Sequence, residues 1–142
     1  MTEQEIRSNF IRPALLDAGW KGKDVQIREE FYYNDGRMEI QGQTAVRGNR
    51  NFMDYLLVYK NVLLAVVEAK DNKHTVGAGM QQALRYAEAY DVPFVYSSNG
   101  DAFLAHDRTL SAGAVERELP MDAFPSPEAL WQRYWEIGRA HV

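Results

Sequence analysis

Asp54, Glu68 and Lys70 are the residues whose types and spacing point most directly to chemistry. Thirteen residues separate the aspartate from Glu68-Ala-Lys70, a triplet that ends the apolar run Val62-Leu-Leu-Ala-Val-Val. Side chains alternate between faces along a strand. Glu68 and Lys70 are therefore expected on one face with Val62, Leu64 and Val66, and Leu63, Ala65, Val67 and Ala69 on the other. Asp54 interrupts an otherwise apolar row of Phe52, Leu56 and Val58. Two carboxylates held close repel, and one protonates unless a cation lies between them. A hard, oxygen-seeking ion such as Mg²⁺ suits such a pair. It would polarise a phosphoryl oxygen and help to make hydroxide from bound water. Lys70 adds a compact positive charge that complements a phosphate, able to orient the attacking water or to stabilise a pentacoordinate phosphorane. The competing reading is a structural ion network of these three residues at a strand end.

Whether Asp54 and Glu68 meet depends on the hairpin that carries them. Facing residues in a hairpin share a face, so an odd-length loop is needed to put 54 and 68 on the same side. A three-residue loop, Tyr59-Lys60-Asn61, with Asn61 left-handed, is the expected solution. It sets Asp54 opposite Val66 and diagonal to Glu68.

The remaining elements are read from periodicity and punctuation. Thr2 with Glu5 has capping-box spacing, opening a helix to Ala18 with an apolar stripe of Ile6, Phe10, Ile11, Ala14 and Leu15; Pro13 is expected to make its second half irregular. Val25–Tyr33 reads as a strand, Asn34-Asp-Gly36 as a turn, Arg37–Gln41 as the returning strand and Thr44–Asn51 as a loop. Phe52–Val58 and Val62–Lys70 form the hairpin, the second strand central and buried. A helix opened by Gly77 or Gly79 runs to about Tyr90, and strands follow at Val92–Ser97 and Ala102–His106, the latter expected to be the last. After Pro120, Pro125 and Pro127, a short helix capped by Ser126 runs to Trp135. This order describes a mixed-sheet α/β or α+β sandwich.

Length and composition bound the rest. With 142 residues, 46% of them hydrophobic, the chain suits one domain with a real core. No cysteine is present, so disulfides and thiolate zinc sites are excluded. His74, His106 and His141 lack ligand spacing, and Gly77-Ala-Gly79 lacks the Gly-Lys-Ser/Thr of a phosphate loop. No apolar run is long enough to span a bilayer, and the polar start is unlike a secretory leader; a cytoplasmic location is expected. A net charge of −4 excludes a globally basic surface. Lys21, Lys23, Arg28, Arg37, Arg47 and Arg50 still allow a local one. Arg47 and Arg50, on a loop just before Asp54, are candidate phosphate contacts, with a solvated loop as the alternative.

The spacing Asp54, thirteen residues, Glu68-Ala-Lys70 resembles the PD-(D/E)xK nuclease signature, except that Met53 stands where its proline would be. Several longer blocks are similar to the N-terminal nuclease domain of type I restriction enzyme R subunits. These are Pro13–Trp20, Phe52–Tyr59, Ala65–Lys70, Gln81–Glu88, Val92–Gly100 and Phe124–Trp131. The resemblance implies a restriction-endonuclease-like core, a central mixed sheet flanked by helices, over residues 1–120. It implies a linker toward an absent translocase over 121–135, and 136–142 read as a non-native tail resembling a translated sequencing adaptor. It further implies a Mg²⁺-dependent endonuclease acting on double-stranded DNA with specificity and methylation subunits. ATP is implied only for the full-length parent. The family's Q-x-x-x-Y motif is matched by Gln82 and Tyr86, implying contact with the DNA backbone or support of Lys70. An acid of the first helix, Glu3 in preference to Glu5, is implied to face the metal. Another nuclease of the same fold, or a catalytically silent nucleic-acid-binding or assembly module, are the alternatives.

Overall fold

The computed structural model describes residues 1–33, 51–110, 113 and 115–140, with backbone alone at 31–33, 51 and 137–140. The expected turn at 34–36, the strand at 37–41, the loop from residue 44 and its Arg47 and Arg50, and His141, lie outside the described residues.

Thr2 caps the first helix reciprocally: its hydroxyl accepts from the Glu5 N–H at 3.1 Å, and the Glu5 carboxylate accepts from the Thr2 N–H at 2.8 Å. α1 (Glu3–Ile6) runs through a π-helical turn (Arg7–Ile11) into α2 (Arg12–Asp17). Pro13 has no N–H to give the preceding turn. A wider i→i+5 turn absorbs the missing bond, and the Arg12 N–H reaches the Arg7 carbonyl. The irregular turn thus precedes Pro13 rather than following it. The extra residue also rotates the apolar stripe. Ile6, Ile11 and Leu15 are buried, whereas Phe10, expected among them, is 38% exposed.

Among the described residues, six strands lie in chain order in one sheet: β1 (Val25–Tyr33), β2 (Asn51–Tyr59), β3 (Val62–Ala69), β4 (Phe94–Ser98), β5 (Ala102–Asp107) and β6 (Glu116–Pro120). Neighbours are antiparallel except β3 and β4, which are parallel. A parallel pair needs a crossover, and α3 (Met80–Tyr90) supplies it. Met80, Ala83, Tyr86 and Ala87 of α3 pack on Met53, Leu56, Val58, Val66 and Val95 on one face of the sheet. The first helix and α4 (Pro127–Ala140) cover the other face, where Ile6, Ile11, Leu15 and Leu130 meet Tyr55, Leu57, Val67 and Phe103. Each such fully buried aliphatic side chain contributes about 1.5–3 kcal/mol.

Four further expectations need correction. β5 is not the last strand: Glu116–Pro120 adds β6, whose charged, mostly exposed residues protect a sheet edge and hide it from a hydrophobic pattern. α4 continues past Trp135 to Ala140. The hairpin turn has two residues, not three: Lys60 and Asn61 both take left-handed conformations, φ 51° and 68°, and Tyr59 pairs with Val62. Two positive-φ residues match the right-handed twist of the strands, and the Lys60 ammonium lies 5.3 Å from the ring centres of both Tyr59 and Trp131. The odd residue is supplied instead by an irregularity along β3. Val58 pairs with Leu63 but Leu57 with Ala65, leaving Leu64 as the extra residue. Leu64 consequently joins Ala65 and Val67 in the core under the first helix, and Leu63 packs toward α3 with Val66. The face assignment of residues 62–64 is inverted, and that of 65–69 stands.

Candidate active site

Beyond the bulge, the register aligns three acids in one row across β1, β2 and β3. Glu29 pairs with Tyr55 and Phe31 with Met53, so Glu30 stands across from Asp54. Tyr55 pairs with Val67, and the same register one residue further sets Asp54 across from Glu68. Like charges on facing strand positions are destabilising, and here two of the three are buried: Asp54 is 1% and Glu68 3% exposed.

Asp54 is held from two sides. Its Oδ2 accepts from the Ala69 N–H at 2.8 Å, where the β2–β3 ladder ends and a side chain replaces the backbone acceptor. Its Oδ1 accepts from Arg7 Nη1 at 3.1 Å. Arg7 is itself buried and uses Nη2 to donate to Gln4 and Glu30. Burial pulls the guanidinium pKa down, but the hydrogen bond to Glu30 and the charges of Asp54 and Glu30 outweigh it and raise it. Glu30 reaches this position from a left-handed backbone, φ 52°, unusual for a residue with a side chain.

Glu68 is the poorly satisfied member. Its Oε1 is buried with no hydrogen-bond partner among the described residues. Burial, then the charge of Asp54 and a hydrogen bond with that carboxyl group, push its pKa up to about 9, against the lowering effect of Lys70. Its stem is fixed by Gly79, which caps α3: a Cβ there would stand 2.7 Å from Glu68 Cγ. Ser97, fully buried on β4, braces the same point by accepting from the Gly79 N–H at 3.0 Å and donating to the Val76 carbonyl at 2.8 Å.

Lys70 is half-buried, and its N–H donates to the Ser98 carbonyl at 2.9 Å, continuing the parallel pairing past the end of β3. Its charge acts on Glu68 and on Glu3. The two acids of the first helix separate cleanly. Burial and the Asp54 charge raise the pKa of Glu3, whereas fully exposed Glu5 is lowered by its bond to the Thr2 backbone. Glu3 is therefore the acid that the Asp54 charge reaches, and Glu5 serves the cap. Gln82 Nε2 donates to the Phe52 carbonyl at 2.6 Å, tying α3 to β2 two residues before Asp54. Tyr86 is buried in the α3 layer and stacked on Tyr90, ring centres 4.6 Å apart. His74 and His106 contact Asp71 and Glu116, at 2.8 and 2.7 Å, outside the carboxylate row.

Sequence reasoning missed Arg7, Glu30, Gly79 and Ser97. Only Arg7 had a signal: it lies four residues after Glu3, a spacing that reads as a surface helix pair.

The donor set fits a hard divalent cation. It is all oxygen, and one buried oxygen, Glu68 Oε1, lacks a partner among the described residues beside the Asp54 carboxyl group. Among the described residues no group of three or more acidic, histidine or cysteine side chains is arranged to hold a metal ion. Mg²⁺ needs none, since it keeps several waters and takes one or two carboxylates.

Known proteins share this architecture. Residues 25–120 match the family described as the type I restriction enzyme R protein N terminus. The type I restriction enzyme EcoAI endonuclease subunit of Escherichia coli is 43% identical over 136 residues, covering 94% of this chain and 17% of that protein. A solved fragment assigned as an HsdR subunit of a type I restriction enzyme from Vibrio vulnificus YJ016 superposes with a TM-score of 0.79 at 35% identity, over 96% of this chain and 26% of that one. The chain thus spans about a sixth of its curated relative, and its fold is the restriction-endonuclease-like α/β core. It belongs to the family of type I restriction enzyme R protein N-terminal regions.

Proposed function

We propose that this chain carries the phosphodiester-cutting site of a type I restriction R subunit, with Asp54 and Glu68 holding Mg²⁺. The observation that carries the reading is the uneven neutralisation of the acidic row: Arg7 bridges Glu30 and Asp54, while Glu68 beside them has a buried oxygen with no partner among the described residues. Mg²⁺ bound there supplies a Lewis acid for a phosphoryl oxygen of DNA. Asp54, fixed by the Ala69 N–H and Arg7, stands across from Glu68. Glu68, as a carboxylate, would be the second protein ligand to the ion. Lys70, at the open end of β3, orients the attacking water or takes up charge on the phosphorane, and Glu3 adds an acid at the rim. Gln82 and Tyr86 support the site from α3, and Arg47 and Arg50 are assigned to the DNA backbone. The R subunit would supply ATP-driven translocation from outside this chain, and its specificity and methylation partners would select the DNA.

The relative's description as an endonuclease subunit motivates the test in the assembled enzyme. Asp54→Ala in a full R subunit bearing this domain should abolish Mg²⁺-dependent plasmid linearisation while ATP hydrolysis persists. Retained linearisation would refute the assignment.

A further inference from the structure

The row Glu30, Asp54, Glu68 has two gaps, and the chain itself fills one of them. Arg7 Nη1 binds Asp54 at 3.1 Å, and Nη2 binds Glu30 and Gln4. The guanidinium is nearly sealed from solvent, its side chain 7% exposed. Three features converge on holding it there. The π-helical turn begins at Arg7 itself, and its carbonyl accepts from Tyr55 OH at 3.3 Å, pinning that turn to β2 next to Asp54. Glu30 adopts its left-handed backbone at the one β1 position facing Asp54. Local strain of this kind persists only where the surroundings enforce it. A planar fork bound to three acceptors on three elements fixes direction as well as charge.

We propose that Arg7 is a positioning residue: it closes the Glu30–Asp54 gap and turns Asp54 toward Glu68, so that a divalent cation binds only in the Asp54–Glu68 gap. This rests on the hydrolytic reading above. Arg7 touches no reacting atom; it acts through Asp54. The charge alone does not suffice, because an ammonium cannot span Asp54 and Glu30 with the geometry of a fork.

The test is Mn²⁺ binding to the purified chain, followed by electron paramagnetic resonance, for wild type, Arg7→Lys, Arg7→Gln and Glu30→Gln, each well below its own melting temperature. Wild type should bind one Mn²⁺. Arg7→Lys, which keeps the charge, and Arg7→Gln, which keeps a donor, should each weaken binding about tenfold, equivalent to about 1.4 kcal/mol. Should the Arg7 variants fail to fold, Glu30→Gln carries the test, since the Glu30 side chain is 51% exposed and contributes little packing. It should weaken Mn²⁺ binding a few-fold without moving the melting temperature, because a slack fork no longer fixes Asp54. Unchanged affinity in Glu30→Gln and in every folded Arg7 variant, with wild type binding normally, overturns the positioning role alone. Tighter binding in Arg7→Gln, or a second Mn²⁺ per chain, makes Arg7 a competitor of the ion and overturns it too. If wild type binds no Mn²⁺, the hydrolytic reading fails and this role falls with it.

Discussion

Replacing Glu68 by Gln should stabilise the metal-free protein, and by more as the pH rises. Glu68 is 3% exposed, and burial with the Asp54 charge lifts its pKa from an ordinary 4.5 to about 9. A carboxyl group raised in the folded state binds its proton more tightly there than in the unfolded chain. Its contribution to stability is complete below 4.5 and is lost as pH climbs toward 9. From pH 5.5 to 8 the folded group stays protonated while the unfolded one is ionised. That interval of about 2.5 pH units, at about 1.36 kcal/mol each, amounts to roughly 3 kcal/mol. At about 3 °C per kcal/mol for a domain of this size, Glu68→Gln should gain roughly 10 °C over wild type across the interval. Thermal unfolding followed by circular dichroism in EDTA, at half-unit steps of pH, measures it. Mg²⁺ at about 100 times its Kd should return about 2.7 kcal/mol to wild type and little to the variant. Parallel melting curves for the two proteins from pH 5.5 to 8 would mean that Glu68 is not the strained acid described here.

Lys70→Ala should abolish cleavage in the assembled enzyme with a melting temperature within a few degrees of wild type, since a half-buried strand-end side chain contributes little to the core; loss of the circular dichroism transition would favour a structural ion network. Gly79→Ala should cost about 1–3 kcal/mol by overpacking and blunt stabilisation by Mg²⁺, because the new methyl would sit 2.7 Å from Glu68 Cγ; an unaltered Mg²⁺ shift in Tm would contradict this. The isolated chain, with net charge −4, should cut plasmid poorly with Mg²⁺ and no ATP. Efficient cutting by the purified chain would overturn that expectation.

What the sequence made legible were features with local causes. The Thr2–Glu5 cap, the strand Val25–Tyr33 and the helix opened at Gly79 all follow from neighbours along the chain. The requirement that Asp54 and Glu68 share a face was legible too, because parity is arithmetic. How the parity is met was not: a bulge at Leu64 leaves no mark in a run where Leu63 and Leu64 are identical residues. β6 was hidden because a solvated edge needs no apolar alternation. That Arg7 meets Glu30, 23 residues away in sequence, was not legible because the meeting depends on the π-helical turn and on a left-handed residue inside a strand. Arg47 and Arg50 lie outside the described residues, so their expected contact stays with the sequence.

The bulge at Leu64 also says how the tip of the hairpin is free to change. A two-residue turn with one bulge and a three-residue turn with none deliver the same alignment at Tyr55 and Val67. At fixed chain length, a turn that takes in one more residue while the bulge is lost leaves the acidic row untouched, whereas either change alone turns Glu68 to the face opposite Asp54. Turn and bulge should therefore change only together. The distance from turn to bulge marks the stretch within which the two must balance.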